Sequence, residues 1–181
     1  MGKEKGPQLK VEGIERQMRR SYDRVAPIYY RGWPLGKLMS WKASWQTRLV
    51  HSRFACRLPR GGRVLDLGCG VGVWLKRFQV DGFHVAGIDQ SPKMVAYTRR
   101  RIPQADVFCR NMVNPGFRSG SFDGIISLFA IIHVPQVKQL EVFRHMYRLL
   151  VPGGHFLINI GAGGGPPGYQ ARALRPPIPN K

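Results

Sequence analysis

The stretch that decides the fold is Val64-Leu65-Asp66-Leu67-Gly68-Cys69-Gly70-Val71-Gly72. It runs an apolar segment into a turn with glycine at every second position, which is typical of a strand that leads into a helix. Glycine removes the Cβ atoms that would hold a ligand away, and the following helix presents free N–H groups. A dinucleotide fingerprint would need glycine at position 73, where this chain has valine. We therefore expect a ligand at this turn, without phosphate recognition there.

From Gly62 onward, short apolar runs alternate with helical patterns. The predicted helices are 71–79, 92–101 and 136–150, and a Pro152-Gly153-Gly154 turn follows the last of them. Ser91 and Pro92 are typical of a helix start. The order predicts a doubly wound α/β domain with a mostly parallel, Rossmann-like sheet. The predicted strands are 63–67, 84–88, 106–109, 124–129 and 155–160.

The chain has 181 residues, enough for one domain. We divide it into an N-terminal helical cap (1–60), the α/β core (61–160) and a Gly- and Pro-rich tail (161–181) that is expected to be irregular. The cap has 14 basic and 4 acidic residues. Its helical pattern rests on arginines that share one face and on bulky tryptophans that precede the core: Arg16, Arg19, Arg20, Arg24, Trp33, Trp41 and Trp45.

Composition narrows the functional classes. Hydrophobic residues make up 43% of the chain and charged residues 22%, which excludes collagen-like, fully disordered and membrane-spanning proteins. The net charge of +19 favours anionic neighbours such as nucleic acid, anionic metabolites or lipid headgroups. The three cysteines are an odd number and lack the spacing of metal ligands, so we expect neither a disulfide framework nor a metal site. This cysteine usage predicts a reducing, cytoplasmic setting.

Several motifs resemble those of class I S-adenosylmethionine-dependent methyltransferases, in particular type 11, the small-molecule enzymes similar to those of ubiquinone and menaquinone biosynthesis. The resemblance covers roughly residues 20–160 and implies a Rossmann-like fold, methyl transfer and S-adenosylmethionine as cofactor. The motifs are Ser21-Tyr22-Asp23-Arg24-Val25-Ala26-Pro27-x-Tyr29, Asp66-x-Gly68-x-Gly70-x-Gly72, Gly87-Ile88-Asp89-Gln90-Ser91-Pro92, Ser121-Phe122-Asp123-Gly124-Ile125-Ile126-Ser127 and Leu149-Leu150-Val151-Pro152-Gly153-Gly154.

The same resemblance implies which residues bind the cofactor. Asp66 would accept from the methionine ammonium, and Asp89 would accept from both ribose hydroxyls. Asn111 stands where relatives usually carry an aspartate that receives the adenine amino group, and its carbonyl oxygen can still accept. The remaining implied cofactor residues are Gly68 and Gly70 at the methionine half, Gln90 and Met94 beside the adenine, and Cys69, Gly72, Met112, Leu128, Tyr22 and Tyr29.

The catalytic candidate is His133, which follows the fourth predicted strand. Methyl transfer depends mainly on alignment and on exclusion of water, so a base is needed only when the acceptor must lose a proton, as a hydroxyl does. Carboxyl ends of parallel strands meet at one edge of the sheet, which would bring His133 to the ligand site. Packing of the loop is the alternative role for this histidine, as helix packing is for Tyr22 and Tyr29.

The leading hypothesis is a methyltransferase for a small molecule, and the charge is compatible with an anionic one. The alternatives are an RNA methyltransferase that uses the basic surface and a catalytically silent cofactor-binding or interaction module. Relatives usually add a sixth and a seventh strand, and residues 161–181 do not read as strands. We therefore expect a shortened fold, with an exposed fifth strand able to pair in a homodimer.

Overall fold

The computed structural model describes residues 7–31 and 48–159. Five parallel strands form one sheet in the order β3-β2-β1-β4-β5. This arrangement confirms the predicted doubly wound α/β fold. The strands are β1 (Arg63–Leu67), β2 (His84–Asp89), β3 (Asp106–Cys109), β4 (Phe122–Ser127) and β5 (Leu150–Ile158), and the helices are α1 (Pro7–Arg31), α2 (described over 48–55), α3 (Val73–Val80), α4 (Pro92–Arg101), the short 3₁₀ helix (Ile131–His133) and α5 (Gln136–Leu149).

The sheet lies between two apolar layers. Val64, Leu65 and Leu67 of the central strand β1 are fully buried, as expected for a parallel strand that is covered on both faces. On one face, Leu75 and Phe78 of α3 pack with residues from α2, α4 and the sheet. On the other face, the buried side chains of α5 complete the core: Val142, Met146 and Leu149.

Helix α1 packs on α4 beside the glycine-rich turn. Ala26 of α1 is fully buried and contacts the cluster that contains Val71 and Met94. Farther along the same helix, the Tyr30 ring stacks on Tyr97 of α4 with ring centroids 4.3 Å apart. These contacts hold α1 near the carboxyl ends of the strands.

Several element boundaries differ from the sequence prediction. Helix α3 begins at Val73 rather than at residue 71, because Gly72 adopts a left-handed conformation as its N-cap. Strand β4 ends at Ser127 rather than at residue 129, because Phe129 has a φ of 58° that no strand accommodates. The Pro152-Gly153-Gly154 turn is an irregularity within β5: Leu150 pairs with Phe122, whereas His155 pairs with Gly124. Some predictions fall outside the described residues. They concern Trp33, Trp41 and Trp45 of the cap, and residues 160–181, on which the predicted absence of strands six and seven depends.

Candidate functional site

A cavity of about 630 Å³ lies at the carboxyl ends of the strands. Its walls come from the turn after β1, the ends of β2 and β3, the segment after β4 and one face of α1. This is the edge at which open α/β sheets bind ligands. Its lining includes Glu15, Tyr22, Tyr29, Asp66, Gly68, Cys69, Gly70, Trp74, Asp89, Gln90, Met94, Arg110, Asn111, Met112, Leu128, Phe129, Ile132, His133, Val134 and Pro135.

The turn after β1 depends on glycine for close packing. A Cβ on Gly68 would lie 2.3 Å from the Ala130 Cβ, so the turn can approach the segment after β4 only without a side chain. A Cβ on Gly72 would lie 2.7 Å from Thr98 Cγ2, and the Thr98 hydroxyl donates to the Gly70 carbonyl at 2.6 Å. By contrast, the position of a Cβ on Gly70 faces open space. Thr98 of α4 therefore holds one side of the turn, and the side at Gly70 is open.

Replacing Gly72 with alanine should lower the free energy of unfolding by about 2 to 4 kcal/mol, since the change combines a left-handed conformation with overpacking. Gly82 is the matched control: its φ is 87°, and nothing lies within 4 Å of its Cβ position. Gly82→Ala should therefore cost only about 1 kcal/mol. Urea unfolding of both variants measures the difference, and equal losses would show that the contact with Thr98 does not matter.

Asp89, at the end of β2, is held by two backbone groups. The Gly70 N–H donates to its Oδ2 at 2.9 Å, and the Ser91 N–H donates to its Oδ1 at 2.8 Å. Burial raises the pKa of this carboxyl, and the two N–H groups oppose that shift. The carboxylate is consequently fixed beside Gly70 of the turn, and each of its oxygens keeps a lone pair that can accept from a further donor.

Asp66 is the second carboxyl at the cavity, and it is only 3% exposed. Burial raises its pKa well above the usual range, and the neighbouring charge of Asp89 adds to the rise. Among the described residues, no group donates a hydrogen bond to its side chain. A buried carboxyl in this state gains most from a cationic donor, because such a group both neutralises and hydrogen-bonds it.

The end of β3 supplies Arg110 and Asn111 to the cavity wall. The Arg110 guanidinium lies 4.5 Å from the centre of the Phe108 ring and 5.3 Å from that of Phe117. The Asn111 side-chain oxygen accepts from the Val113 N–H at 3.1 Å. Both polar groups are therefore held in place at this end of the cavity.

Tyr22 and His133 meet across the cavity. The Tyr22 hydroxyl lies 2.6 Å from His133 Nε2, with the rings edge to face. Burial lowers the pKa of His133, which favours the neutral ring. Burial, with the nearby Tyr29 and Asp89, raises the pKa of Tyr22, which favours the protonated phenol. Tyr22 therefore donates, and Nε2 of a neutral His133 accepts, which puts the ring proton on Nδ1.

Within residues 7–31 and 48–159, no helix is long and apolar enough to cross a membrane. The same part of the chain contains no group of three or more His, Cys, Asp or Glu side chains that could hold a metal ion.

The family model described as "Methyltransferase domain" matches residues 64–154, which is more than half of the chain. The chain belongs to this family. This methyltransferase chain is similar in sequence and structure to an S-adenosylmethionine dependent methyltransferase from Mesorhizobium loti that is known from a crystal structure. The two are 31% identical with a TM-score of 0.52, and the match covers 59% of this chain and 50% of the other. Its class I Rossmann-like fold is thereby supported from the sequence and from the structure.

Two curated relatives differ in what their names say they act on. Demethylmenaquinone methyltransferase of Listeria welshimeri is 28% identical over 153 residues, which cover 80% of this chain. The match spans 62% of the length of that relative. Probable tRNA methyltransferase 9B of Homo sapiens is 38% identical over 104 residues, which cover 56% of this chain and 22% of that protein.

The cavity of the methyltransferase domain brings together nearly all of the site residues that the sequence motifs imply. His133 and all but one of the implied cofactor residues line the one cavity: Asp66, Gly68, Cys69, Gly70, Asp89, Gln90, Met94, Asn111, Met112, Leu128, Tyr22 and Tyr29. Gly72 does not line it. This glycine instead lies against Thr98, where it shapes the turn and the start of α3.

Sequence reasoning missed Glu15, Trp74 and Phe129, which also line the cavity. A signal existed for Glu15: it lies seven residues before Tyr22, which lies seven before Tyr29, and positions seven apart share a helix face. The pairing of Tyr22 with His133 was also missed. No local pattern connects two residues that are 111 positions apart.

Proposed function

We propose that this domain binds S-adenosylmethionine in the cavity and transfers the methyl group to a hydroxyl of a small molecule. The carrying observation is that one cavity is lined both by the carboxyls Asp66 and Asp89 beside the glycine turn and by the hydrogen-bonded pair Tyr22–His133. When bound, the cofactor supplies a methyl group on a positively charged sulfur, which is already activated for displacement. The protein then has to align the acceptor, exclude water and accept a proton.

The residues present fit this cofactor. Asp66 has a buried carboxyl that is suited to an ammonium group, and Asp89 offers two fixed oxygens that are suited to a pair of ribose hydroxyls. The open space at the Gly70 Cβ position leaves room for a ligand against the turn. We assign the methionine half to Gly68, Gly70 and Cys69, the adenine to Gln90, Met94, Asn111 and Met112, and the closing contacts to Leu128, Tyr22 and Tyr29.

We assign the proton transfer to His133 and Tyr22. The acceptor hydroxyl gives its proton to the Tyr22 oxygen while the Tyr22 proton moves to His133 Nε2, so that the imidazole becomes charged and the phenol is restored. The lowered pKa of His133 keeps the ring neutral and ready to accept at neutral pH. This assignment requires a free path between the acceptor and Tyr22, and both Tyr22 and His133 line the cavity.

The lining near His133 favours an apolar or aromatic acceptor. The lining residues that neighbour His133 in the sequence are mostly apolar: Leu128, Phe129, Ile132, Val134 and Pro135. Arg110 belongs to the wall formed by the end of β3. The Listeria relative is named for demethylmenaquinone, which favours a small molecule over a nucleic acid as the acceptor. An anionic acceptor finds less support in these residues than in the overall charge.

Transfer to RNA is the second candidate. It is supported by the net charge of +19 and by the human relative named as a probable tRNA methyltransferase. RNA binding that weakens steeply with salt would favour it, because phosphate contacts release counterions. A third reading, a silent cofactor-binding module, predicts cofactor binding without transfer to any acceptor in a substrate panel.

We also propose pairing of two copies through β5, whose partner among the described strands is β4 alone. Phe156 on this strand is 54% exposed, which suits an interface.

A reducing, cytoplasmic setting is supported by the three free cysteines. The division into a cap (1–60), a core (61–160) and a tail (161–181) remains our proposal for the domain organisation.

Calorimetry with S-adenosylmethionine and S-adenosylhomocysteine tests the proposal. We expect binding with release of a proton, because an ammonium beside Asp66 favours the ionised form of a carboxyl whose pKa burial has raised. The affinity should therefore fall as the pH drops through that raised pKa. Titrations in two buffers with different ionisation enthalpies report the proton, and the solution mass of the same sample reports pairing.

Asp66→Asn is the control for this titration. The amide preserves the shape but cannot lose a proton, so binding should weaken about tenfold and proton release should decrease. If the folded wild-type protein binds neither ligand, the proposed function is wrong. Binding with unchanged proton release in Asp66→Asn would instead reject only the role of Asp66.

A further inference from the structure

A second depression, the α1–β3 groove, adjoins the cavity. It has a volume of about 380 Å³ and lies between the first half of α1 and the ends of β2 and β3. Half of its lining residues, including Arg110 and Asn111, also line the main cavity, so the two spaces share a wall. The groove is lined by Glu12, Glu15, Arg16, Arg19, Gln90, Cys109, Arg110 and Asn111.

Three arginines in this groove have no carboxylate partner. Among the described residues, Arg16, Arg19 and Arg110 form no ion pair. Arg99 of α4 also lies close enough to influence the Cys109 thiol, but its guanidinium donates to the Val107 carbonyl. The groove therefore contains three guanidinium groups that keep their charge available to a ligand.

Four acidic groups lie in or near the groove, and one of them has a cationic partner. Glu15 pairs with Lys138 at 3.2 Å. Asp23 accepts from the Ser91 hydroxyl and more weakly from the Lys93 N–H, and Asp89 accepts from two backbone N–H groups. Glu12 is exposed and lines the groove without an ion pair to any described residue. The lining itself therefore carries three guanidinium groups and two carboxylates, one of which is offset by Lys138, so its net charge is positive. Asp23 and Asp89 keep their charges but do not line the groove.

Arg110 is also held in one position before any ligand binds. Its guanidinium contacts the faces of Phe108 and Phe117, and Nη1 donates to the Pro115 and Gly116 carbonyls, each at 3.0 Å. The remaining N–H groups of this side chain have no other recorded acceptor within the described ranges. A guanidinium fixed in this way loses little side-chain entropy when an anion binds.

We propose that the α1–β3 groove binds the phosphate group of a second ligand. Guanidinium groups match the geometry of phosphate oxygens and bind them through paired, charge-assisted hydrogen bonds. Three such groups from two elements, arranged around one concave space, suit a phosphomonoester, a diphosphate or one phosphate of a nucleic-acid strand. The site does not depend on methyl transfer, so it stands or falls separately from the proposed function.

The test is a calorimetric titration of the full chain with inorganic pyrophosphate. The Arg16→Gln/Arg19→Gln double variant should bind pyrophosphate at least about tenfold more weakly. Arg20→Gln/Arg24→Gln is the matched control, because it removes the same charge from exposed positions of α1 that line neither space. This control should lose no more than about threefold in affinity, because its exposed side chains form no direct hydrogen bonds with an anion in the groove. Both variants should unfold at the temperature of the wild type, which reports correct folding independently of the proposed cofactor.

Equal losses in the two double variants would mean that pyrophosphate senses only the overall charge, and would overturn the proposal. Absence of pyrophosphate binding by the folded wild-type protein would overturn it as well. A short RNA that displaces pyrophosphate from the wild type, and binds more weakly to Arg16→Gln/Arg19→Gln alone, identifies a nucleic-acid phosphate. Pyrophosphate binding that the RNA does not displace identifies a small phosphorylated ligand.

Discussion

Replacing Asp89 with asparagine should weaken the binding of S-adenosylhomocysteine about a hundredfold, which corresponds to the loss of about two charge-assisted hydrogen bonds. The carboxylate already accepts from the Gly70 and Ser91 N–H groups and still offers lone pairs to two ribose hydroxyls. An amide has one acceptor oxygen and a donor group in place of the other. It cannot satisfy both N–H groups and also accept from the ligand. Calorimetry measures the change.

Asp123→Asn is the matched control for this prediction. Asp123 lies in β4 outside the cavity, and its Oδ2 likewise accepts a backbone N–H, from Arg63 at 2.8 Å. This variant should lose some stability but retain the affinity of the wild type to within about threefold. If Asp89→Asn binds as tightly as the control while unfolding at a similar temperature, the ribose is not held by Asp89.

The strands could be predicted because each carries a local signal. Arg63–Leu67 and Asp106–Cys109 were placed correctly by their apolar content and by the turns that bound them. The end of β4 was not, because Leu128 and Phe129 continue the apolar run while the backbone has already turned. Phe129 reaches a φ of 58°, and its N–H donates to the Asn159 side chain. A bulky residue in this conformation depends on contacts from another part of the chain.

The cavity was predictable on one side and not on the other. Asp66 and Asp89 lie at the carboxyl ends of the adjacent parallel strands β1 and β2, and this topology alone brings them together. Glu15 and Tyr22 reach the cavity only because α1 packs against α4 through Ala26 and Met94. The position of a packed helix depends on the shapes of both surfaces, which single-sequence patterns do not encode.

Replacing His133 with asparagine should lower kcat about a hundredfold or more, the usual contribution of a positioned base. A panel of small hydroxylated and phenolic acceptors identifies the substrate for this measurement. Tyr22→Phe should produce a loss of similar size, because the phenol passes the proton to Nε2 across the 2.6 Å contact. The double variant should then be no slower than either single variant, since both remove the same step. Multiplied losses would reject the relay.

The pH dependence separates a base from a packing residue. Burial lowers the pKa of His133 below its ordinary value of 6.5, so the rate should stay constant through neutral pH and fall only in more acidic solution, as Nε2 becomes protonated. In His133→Asn this decline should disappear from the residual rate. His145→Asn is the matched control, because His145 lies on α5 beside Glu141, outside the cavity, and should keep the wild-type profile. A histidine that only packs the loop would reduce stability without changing the pH profile of the rate.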